Sequence, residues 1–598
     1  MTAPAQRRPA LSRARRGSWW RDAVVYEVYP RSFADSDGDG VGDLGGLLAR
    51  IDHLAWLGVG ALWLCPVYPS PQRDNGYDVA DHCAVDPRFG TLADLDAVVD
   101  EAHRRGIRVV LDQVLHHTSD QHPWFREAAG SLAAPRHDWY LWRPPRSGHV
   151  GGTPGAEPTN WGAAFGGSAW TWEPATGRYR LGLFSPWQPD LDWSNPDVRA
   201  ALADVLRWWR GRGVDGFRLD VINLVDKPPV LRDGPVPPGA RYADGVALCA
   251  GGPRLPGYLR ELRDAADRAP VRRGRPVRPD DAVLLLGEAP GTTPAQAATL
   301  TDPRAGGLDM VLQFEHAELD REPARWRRRP FDLRDLKAWA RRWQSGPDPW
   351  PALFLGNHDQ ARIASRYGSP GRWQSRSAAL WAVLLHAHRG TPFLYQGDEI
   401  GMANRPLAGV RDVLDVEARG VLAAAVAAGE DADAVLDGLR ALGRDHARVP
   451  VAWDAGRHGG FTTGTPWMPA HPDSPHRNVA AQRDDPASVL ALHRALLRLR
   501  RDEPALVDGD ITVLLPDHRH VYAVERRLGA TTLLVVANVS GEASAWPGGL
   551  DRAAWASATV LLTTSAVRAD GDGPHQDAAR PARTADVVSR TVAEGHAA

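Results

Sequence analysis

Cysteine is scarce in this chain: Cys65, Cys83 and Cys249 are the only three in 598 residues. Scattered and odd in number, they exclude a disulfide framework and a cysteine-held metal cluster, and they fit a reducing compartment. No run of about 18 apolar residues occurs, so no helix is expected to span a membrane. A formal net charge of -2 gives no electrostatic argument for nucleic acid or an anionic membrane as partner. Lysine is nearly absent, with only Lys227 and Lys337 among 71 basic residues. Together with abundant alanine, that reads as GC-rich coding rather than as a functional signal. Arg7, Arg8, Arg13, Arg15 and Arg16 precede no apolar segment. Residues 1–18 therefore read as a disordered leader rather than an export signal, and the expected location is cytoplasmic.

What is present is a pattern. Hydrophobic residues make up 43% and charged residues 24%, which suits a large globular core. Short apolar runs read as strands at Val24–Tyr29, Ala61–Pro66, Arg108–Val114, Gly216–Val221, Val283–Glu288, Met310–Phe314, Leu353–Asn357 and Pro392–Gln396. Amphipathic segments such as Leu95–Arg105 and Ala378–His388 lie between them. Eight alternations predict an α/β fold, a (β/α)8 TIM barrel spanning 19–115 and 188–505. Residues 116–187, rich in Gly, Pro and Trp, are too long for a βα loop and predict a small inserted domain after the third strand. A second excursion, 403–477, follows the eighth strand. After a helix at Ser488–Arg500, short alternating segments over 506–567 predict a C-terminal all-β sandwich domain. Residues 568–598 read as a disordered tail.

Barrel enzymes carry their chemistry at the C-terminal ends of strands. Here those ends supply Asp112 and His117, then Arg218 and Asp220, then Glu288, then His358 and Asp359. Arg218 and Asp220 are two apart in a strand and point the same way, so the guanidinium is expected to keep Asp220 anionic. After the first strand, Asp35, Asp37, Asp39, Val41 and Asp43 stand at alternate positions among glycines. That spacing wraps a hard divalent cation, although Gly46 stands where an EF-hand would have Glu. At a loop, such an ion would stabilise rather than catalyse. One structural Ca2+ or Mg2+ is expected there.

These strand ends are joined by further segments: Gln188-Pro189-Asp190-Leu191-Asp192, Gly390-Thr391-Pro392-Phe393-Leu394-Tyr395-Gln396-Gly397-Asp398-Glu399, and Gly443-Arg444-Asp445-His446-Ala447-Arg448. Gly460-Phe461-Thr462-Thr463-Gly464-Thr465-Pro466-Trp467 is another. The chain thereby resembles glycoside hydrolase family 13, the α-amylase superfamily, most closely its α-glucosidase and oligo-1,6-glucosidase branch. The resemblance implies a retaining mechanism with Asp220 as nucleophile, Glu288 as general acid/base and Asp359 as stabiliser of the transition state. A retaining pair sits about 5–5.5 Å apart. It also implies that His117 and His358 bind hydroxyls of the sugar and that Arg218 holds Asp220. Asp78 and Arg448 would close the far end of the pocket, with Tyr77 as a stacking platform. A blocked end implies an exo-acting enzyme on a small α-glucoside, monomeric or homodimeric, with a transglucosidase or isomerase (sucrose isomerase, trehalose synthase) as the alternative.

Three departures from the family pattern matter. His116 replaces the usual Asn, a calcium ligand in the amylases, so no calcium is expected at the inserted domain. Asp192 stands where oligo-1,6-glucosidases usually have Asn. Val221 follows the nucleophile, as in members that tolerate α-1,6 linkages, and a β-branched residue there also suits packing.

Overall fold

The computed structural model describes residues 18–269, 282–322, 326–346, 349–542, 546–568 and 585–591. The expected leader, apart from Ser18, and most of the expected tail lie outside them. Eight parallel strands form the barrel: β1 (Val25–Val28), β2 (Ala61–Leu64), β3 (Arg108–Gln113), β4 (Gly216–Leu219), β5 (Leu284–Glu288), β6 (Met310–Leu312), β7 (Ala352–Leu353) and β8 (Thr391–Tyr395). Neighbours are hydrogen-bonded all the way round, β8 returning to β1, except that β6 and β7 lie side by side without a ladder. Seven of these eight strands are buried along their whole length, and β3 is open only at Arg108. Burial on both faces explains the continuous apolar runs in their sequences.

Three of the helices outside the barrel show how their starts are fixed by side-chain caps. Asp43 caps α1 (Leu44–Leu57), Thr91 forms a capping box on α2 (Leu92–Arg104), and Asn195 followed by Pro196 opens α3 (Pro196–Gly211). The buried stripe of α3 runs Val198, Leu202, Val205, Leu206 and Trp209. Its end therefore delivers β4 into the barrel wall.

The inserted segment carries a three-stranded antiparallel sheet with Arg178–Leu181 between Trp142–Arg143 and Trp170–Glu173. Trp161–Gly162 pairs with Ala243–Asp244 from the loop after β4, so two barrel loops build this domain together. The second excursion holds α4 (Val416–Ala427) and α5 (Ala432–Leu442). A Cβ on Gly420 of α4 would lie 2.0 Å from the Phe165 carbonyl oxygen. Only glycine permits this approach, which joins the excursion to the inserted domain above the strand ends.

The C-terminal unit differs from expectation in two ways. Among the described residues it is a single antiparallel sheet of five strands, not two stacked sheets. Its strands are β9 (Asp510–Leu514), β10 (Val521–Leu528), β11 (Thr531–Asn538), β12 (Thr559–Thr563) and β13 (Ala585–Thr591), in the spatial order β9-β10-β11-β13-β12. Where a sandwich would place its second sheet, Tyr522, Val524, Val535 and Ala537 join the core shared with the barrel helices. The second difference is β13 itself, which lies within the stretch expected to be a disordered tail. A composition rich in Ala, Asp, Gly and Arg hides the short Val587–Val588 pair that makes the strand.

Candidate active site

The strand ends meet around one guanidinium. Arg218 Nη1 donates to Asp112 Oδ1 at 2.7 Å and to Asp220 Oδ1 at 2.7 Å, and Nη2 donates to Glu288 Oε2. Asp112 also accepts from Tyr77 Oη at 3.0 Å and Trp63 Nε1 at 3.1 Å. Arg218 lies over the Trp63 ring, 5.1 Å from its centroid, with its side chain fully buried. A planar fork with two Nη groups is what allows one cation to hold three carboxylates; an ammonium would not fix them in a plane.

Three carboxylates on one arginine leave excess negative charge. Burial pushes the Asp220 carboxyl well up, Arg218 opposes, and the charges of Glu288, Asp112 and Asp359 push further. The sequence expectation that Arg218 alone keeps Asp220 ionised is therefore corrected: it considered one neighbour of four. The direction for Asp220 is set by its surroundings as a whole: burial and three neighbouring carboxylates against one guanidinium.

Backbone geometry contributes too. Val221, directly after Asp220, has φ 37 and ψ 40, the left-handed region. For a β-branched residue this strain is of order 1–3 kcal/mol. The turn aims the Val221 N–H at Glu288 Oε2, at 3.1 Å. Strain here fixes one oxygen of Glu288 and leaves the other for a ligand.

Beyond β7, Asp359 is only partly buried, and Arg448 Nη2 and Arg444 Nη1 reach its Oδ1 at 2.8 Å and 3.1 Å. Burial pushes Asp359 up, but His358, Arg444 and Arg448 outweigh it and hold the carboxyl well below its usual range. Both arginines also grip Asp415, Arg444 at 2.7 Å and Arg448 at 2.9 Å. His358 Nε2 is buried and lies 3.2 Å from Asp359 Oδ2.

Not every expected residue lies where the sequence suggested. Asp78 is fully buried, but its oxygens accept Ser70 Oγ, Asp74 N and Arg73 N, so it shapes its own loop and does not reach Arg448. Asp74, four residues earlier, takes that place. Its Oδ1 has no hydrogen bond, lies 3.7 Å from Arg444, and its Oδ2 accepts from Gln188 at 2.9 Å. Burial raises the Asp74 carboxyl to about 7 against the pull of Arg444 and Arg448. Tyr77 stacks one face on His358, centroids 5.1 Å apart. His117 has both ring nitrogens engaged, by His116 at 3.0 Å and the Tyr77 carbonyl at 3.1 Å. Burial takes His117 down to about 3, and it is neutral in use.

At the inserted domain, Lys227 Nζ bonds His116 Nε2 at 2.6 Å, Asp190 at 2.9 Å and the Leu224 carbonyl at 2.7 Å. An ammonium occupies the centre of that buried polar group. In the first loop, carboxylate oxygens of Asp35, Asp37 and Asp39 lie within 4.8 Å of one another. Asp43 is not among them: it accepts Ser36 N at 2.8 Å and Gly46 N at 2.6 Å as the cap of α1. Three converging carboxylates suit a hard cation.

A model of the alpha-amylase catalytic domain matches residues 27–509. The chain belongs to the α-amylase family. As a family member it is a glycoside hydrolase. It is 43% identical over 526 residues to an oligo-1,6-glucosidase of Parageobacillus thermoglucosidasius, covering 87% of this chain and 90% of that one. It is 38% identical to a trehalose-6-phosphate hydrolase of Bacillus subtilis, over 92% of this chain and 95% of that one. Among solved structures it is similar to isomaltulose synthase from Erwinia rhapontici, with a TM-score of 0.85 and 34% identity, covering 96% of this chain and 99% of the other. Among the described residues, no helix of this α-amylase-family enzyme is long and apolar enough to cross a membrane.

Proposed function

We propose that the protein is a retaining, exo-acting α-glucosidase that removes terminal α-1,6- or α-1,4-linked glucose from short oligosaccharides. The observation that carries this is the sharing of one guanidinium by Asp220 and Glu288, beneath a pocket end closed by Arg444, Arg448 and Asp74. Two carboxylates on one fork favour the retaining spacing of about 5–5.5 Å rather than the wider gap an inverting enzyme needs for water. A closed end admits one terminal sugar. Identity to oligo-1,6-glucosidases supports the α-1,6 preference, as does Val221.

The residues divide the reaction as follows. Asp220 attacks the anomeric carbon with the oxygen not bonded to Arg218, forming a glycosyl ester as the glycosidic C–O bond breaks. Glu288, as general acid, gives a proton to the leaving oxygen, then takes one from the water that attacks the ester. α-Glucose leaves and Asp220 is regenerated. Asp359, held as an anion by two arginines, faces the positive charge that grows on the sugar ring. His358 Nε2 donates to a sugar hydroxyl. One Ca2+ or Mg2+ at Asp35, Asp37 and Asp39 would stabilise the first loop and takes no part in these steps. Three free cysteines favour action in the cytoplasm.

The test is product analysis with isomaltose, maltose, sucrose and trehalose offered separately. Glucose released fastest from isomaltose, initially as the α-anomer, is expected. Glucose from maltose but little from isomaltose would overturn the linkage preference. A rearranged disaccharide from sucrose would favour the isomerase reading, which the likeness to isomaltulose synthase keeps as the second candidate.

A further inference from the structure

Glu27 lies on β1, fully inside the barrel, where a charged side chain is expensive unless it is used. Its Oε1 meets His358 Nδ1 at 2.6 Å and the His358 backbone N–H at 3.2 Å. On the far side of the same ring, Nε2 is 3.2 Å from Asp359 Oδ2. The imidazole is clamped between two phenol rings, Tyr29 at 6.1 Å and Tyr77 at 5.1 Å, both within 9° of parallel. It can neither flip nor tilt. The other charged or titratable groups around it are Cys65 on β2, 3.7 Å from Nδ1, and Arg448, whose Nε donates to the His358 carbonyl. Trp63 closes the ring edge.

We propose that Glu27 is a positioning residue of the hydrolysis: its carboxylate fixes His358 as a doubly protonated imidazolium, so that Nε2 always presents a proton to the sugar. This rests on the function proposed above. The line runs Glu27 negative, His358 positive, Asp359 negative, and the ring sits at the point where both carboxylates favour its charge. Burial alone would discharge His358; Asp359 and Cys65, each by charge and hydrogen bond, reverse that and raise the imidazole well above its usual range. Burial also raises Glu27, and His358 restrains that rise. A neutral imidazole bonded to Glu27 through Nδ1 would offer Nε2 only as an acceptor, facing the Asp359 carboxylate with no proton between them. The charged form donates on both sides.

The test is Glu27→Gln, which keeps the shape and removes the charge. Turnover of an aryl α-glucoside at neutral pH is expected to fall about 10- to 100-fold. The alkaline limb of its pH profile is expected to move down by about one unit or more, because the imidazolium is lost sooner as pH rises. Glu27→Asp should restore the position of that limb while remaining slower. Unchanged rate and limb in Glu27→Gln would overturn the proposal. If that variant does not fold, histidine ring-nitrogen NMR on the wild-type chain decides. A ring whose signal disappears in His358→Asn must stay doubly protonated above the pH at which exposed histidines titrate, and a neutral ring would overturn the idea. Asp220→Asn separates the two readings: an active Asp220→Asn overturns the glucosidase mechanism, whereas an inactive Asp220→Asn beside an unaltered Glu27→Gln overturns this inference alone.

Discussion

Two regions of the molecule gather carboxylates, and they manage the charge by opposite means. At the strand ends, Asp112, Asp220 and Glu288 are buried and share Arg218, a covalently placed cation with fixed geometry. In the first loop, Asp35, Asp37 and Asp39 crowd near the surface with only N–H and O–H donors around them. Asp35 accepts Gly38 N, Gly40 N and Thr462 Oγ1, and Asp37 accepts Asp39 N at 3.1 Å. That bond pulls Asp37 down, yet desolvation and its acidic neighbours leave its carboxyl raised. The lesson lies in where repulsion can be relieved. A surface loop can recruit an ion or water, so its carboxylates serve stability. A buried barrel end instead relies on a side-chain cation, Arg218, whose fork holds the carboxylates in fixed geometry.

The contrast is broken most severely by Asp220→Asn, which should lower kcat by about 10⁴-fold or more while leaving the circular dichroism spectrum unchanged. Arg218→Lys keeps the charge but loses the fork, and a fall of about 10²- to 10³-fold is expected in steady-state assays. Asp74→Asn should act more gently, at the pocket end. Because Asp74 titrates at about 7, it ionises as pH rises through neutrality and becomes a stronger acceptor for the sugar. The wild type should therefore gain kcat/KM across that range, and the variant should lose that limb, which a pH series of initial rates would reveal. The smallest effect belongs to the loop. Asp37→Asn or exhaustive chelation should lower Tm by about 2–4 °C with kcat nearly unchanged. A large loss of kcat on chelation would erase the distinction between the two regions.

Much of this was legible in the chain. Strands buried on both faces announce themselves as apolar runs, and all eight were found, with β7 ending earlier than expected. The charged residues at their ends do come together around Arg218. What stayed hidden was partnership. Asp74 and Asp78 stand four apart in one loop, and nothing in their spacing says whose oxygens the loop consumes. Arg444 sits in a segment already noted, but its grip on Asp359 and Asp415 joins residues 85 and 29 positions away. Glu27 is one charge inside a strand, visible as an anomaly only once its neighbours are known. The surroundings of Asp220 include Glu288, which approaches from a different strand.

The strand order of the C-terminal sheet sets a timetable. β13 is the last of its five strands in the chain, yet it lies between β11 and β12. On the ribosome, β9 to β12 emerge first, and the gap between β11 and β12 stays open until residue 591 clears the exit tunnel. Val587 of β13 also lies in the core shared with the barrel helices, so the strand that closes the sheet also completes that seam.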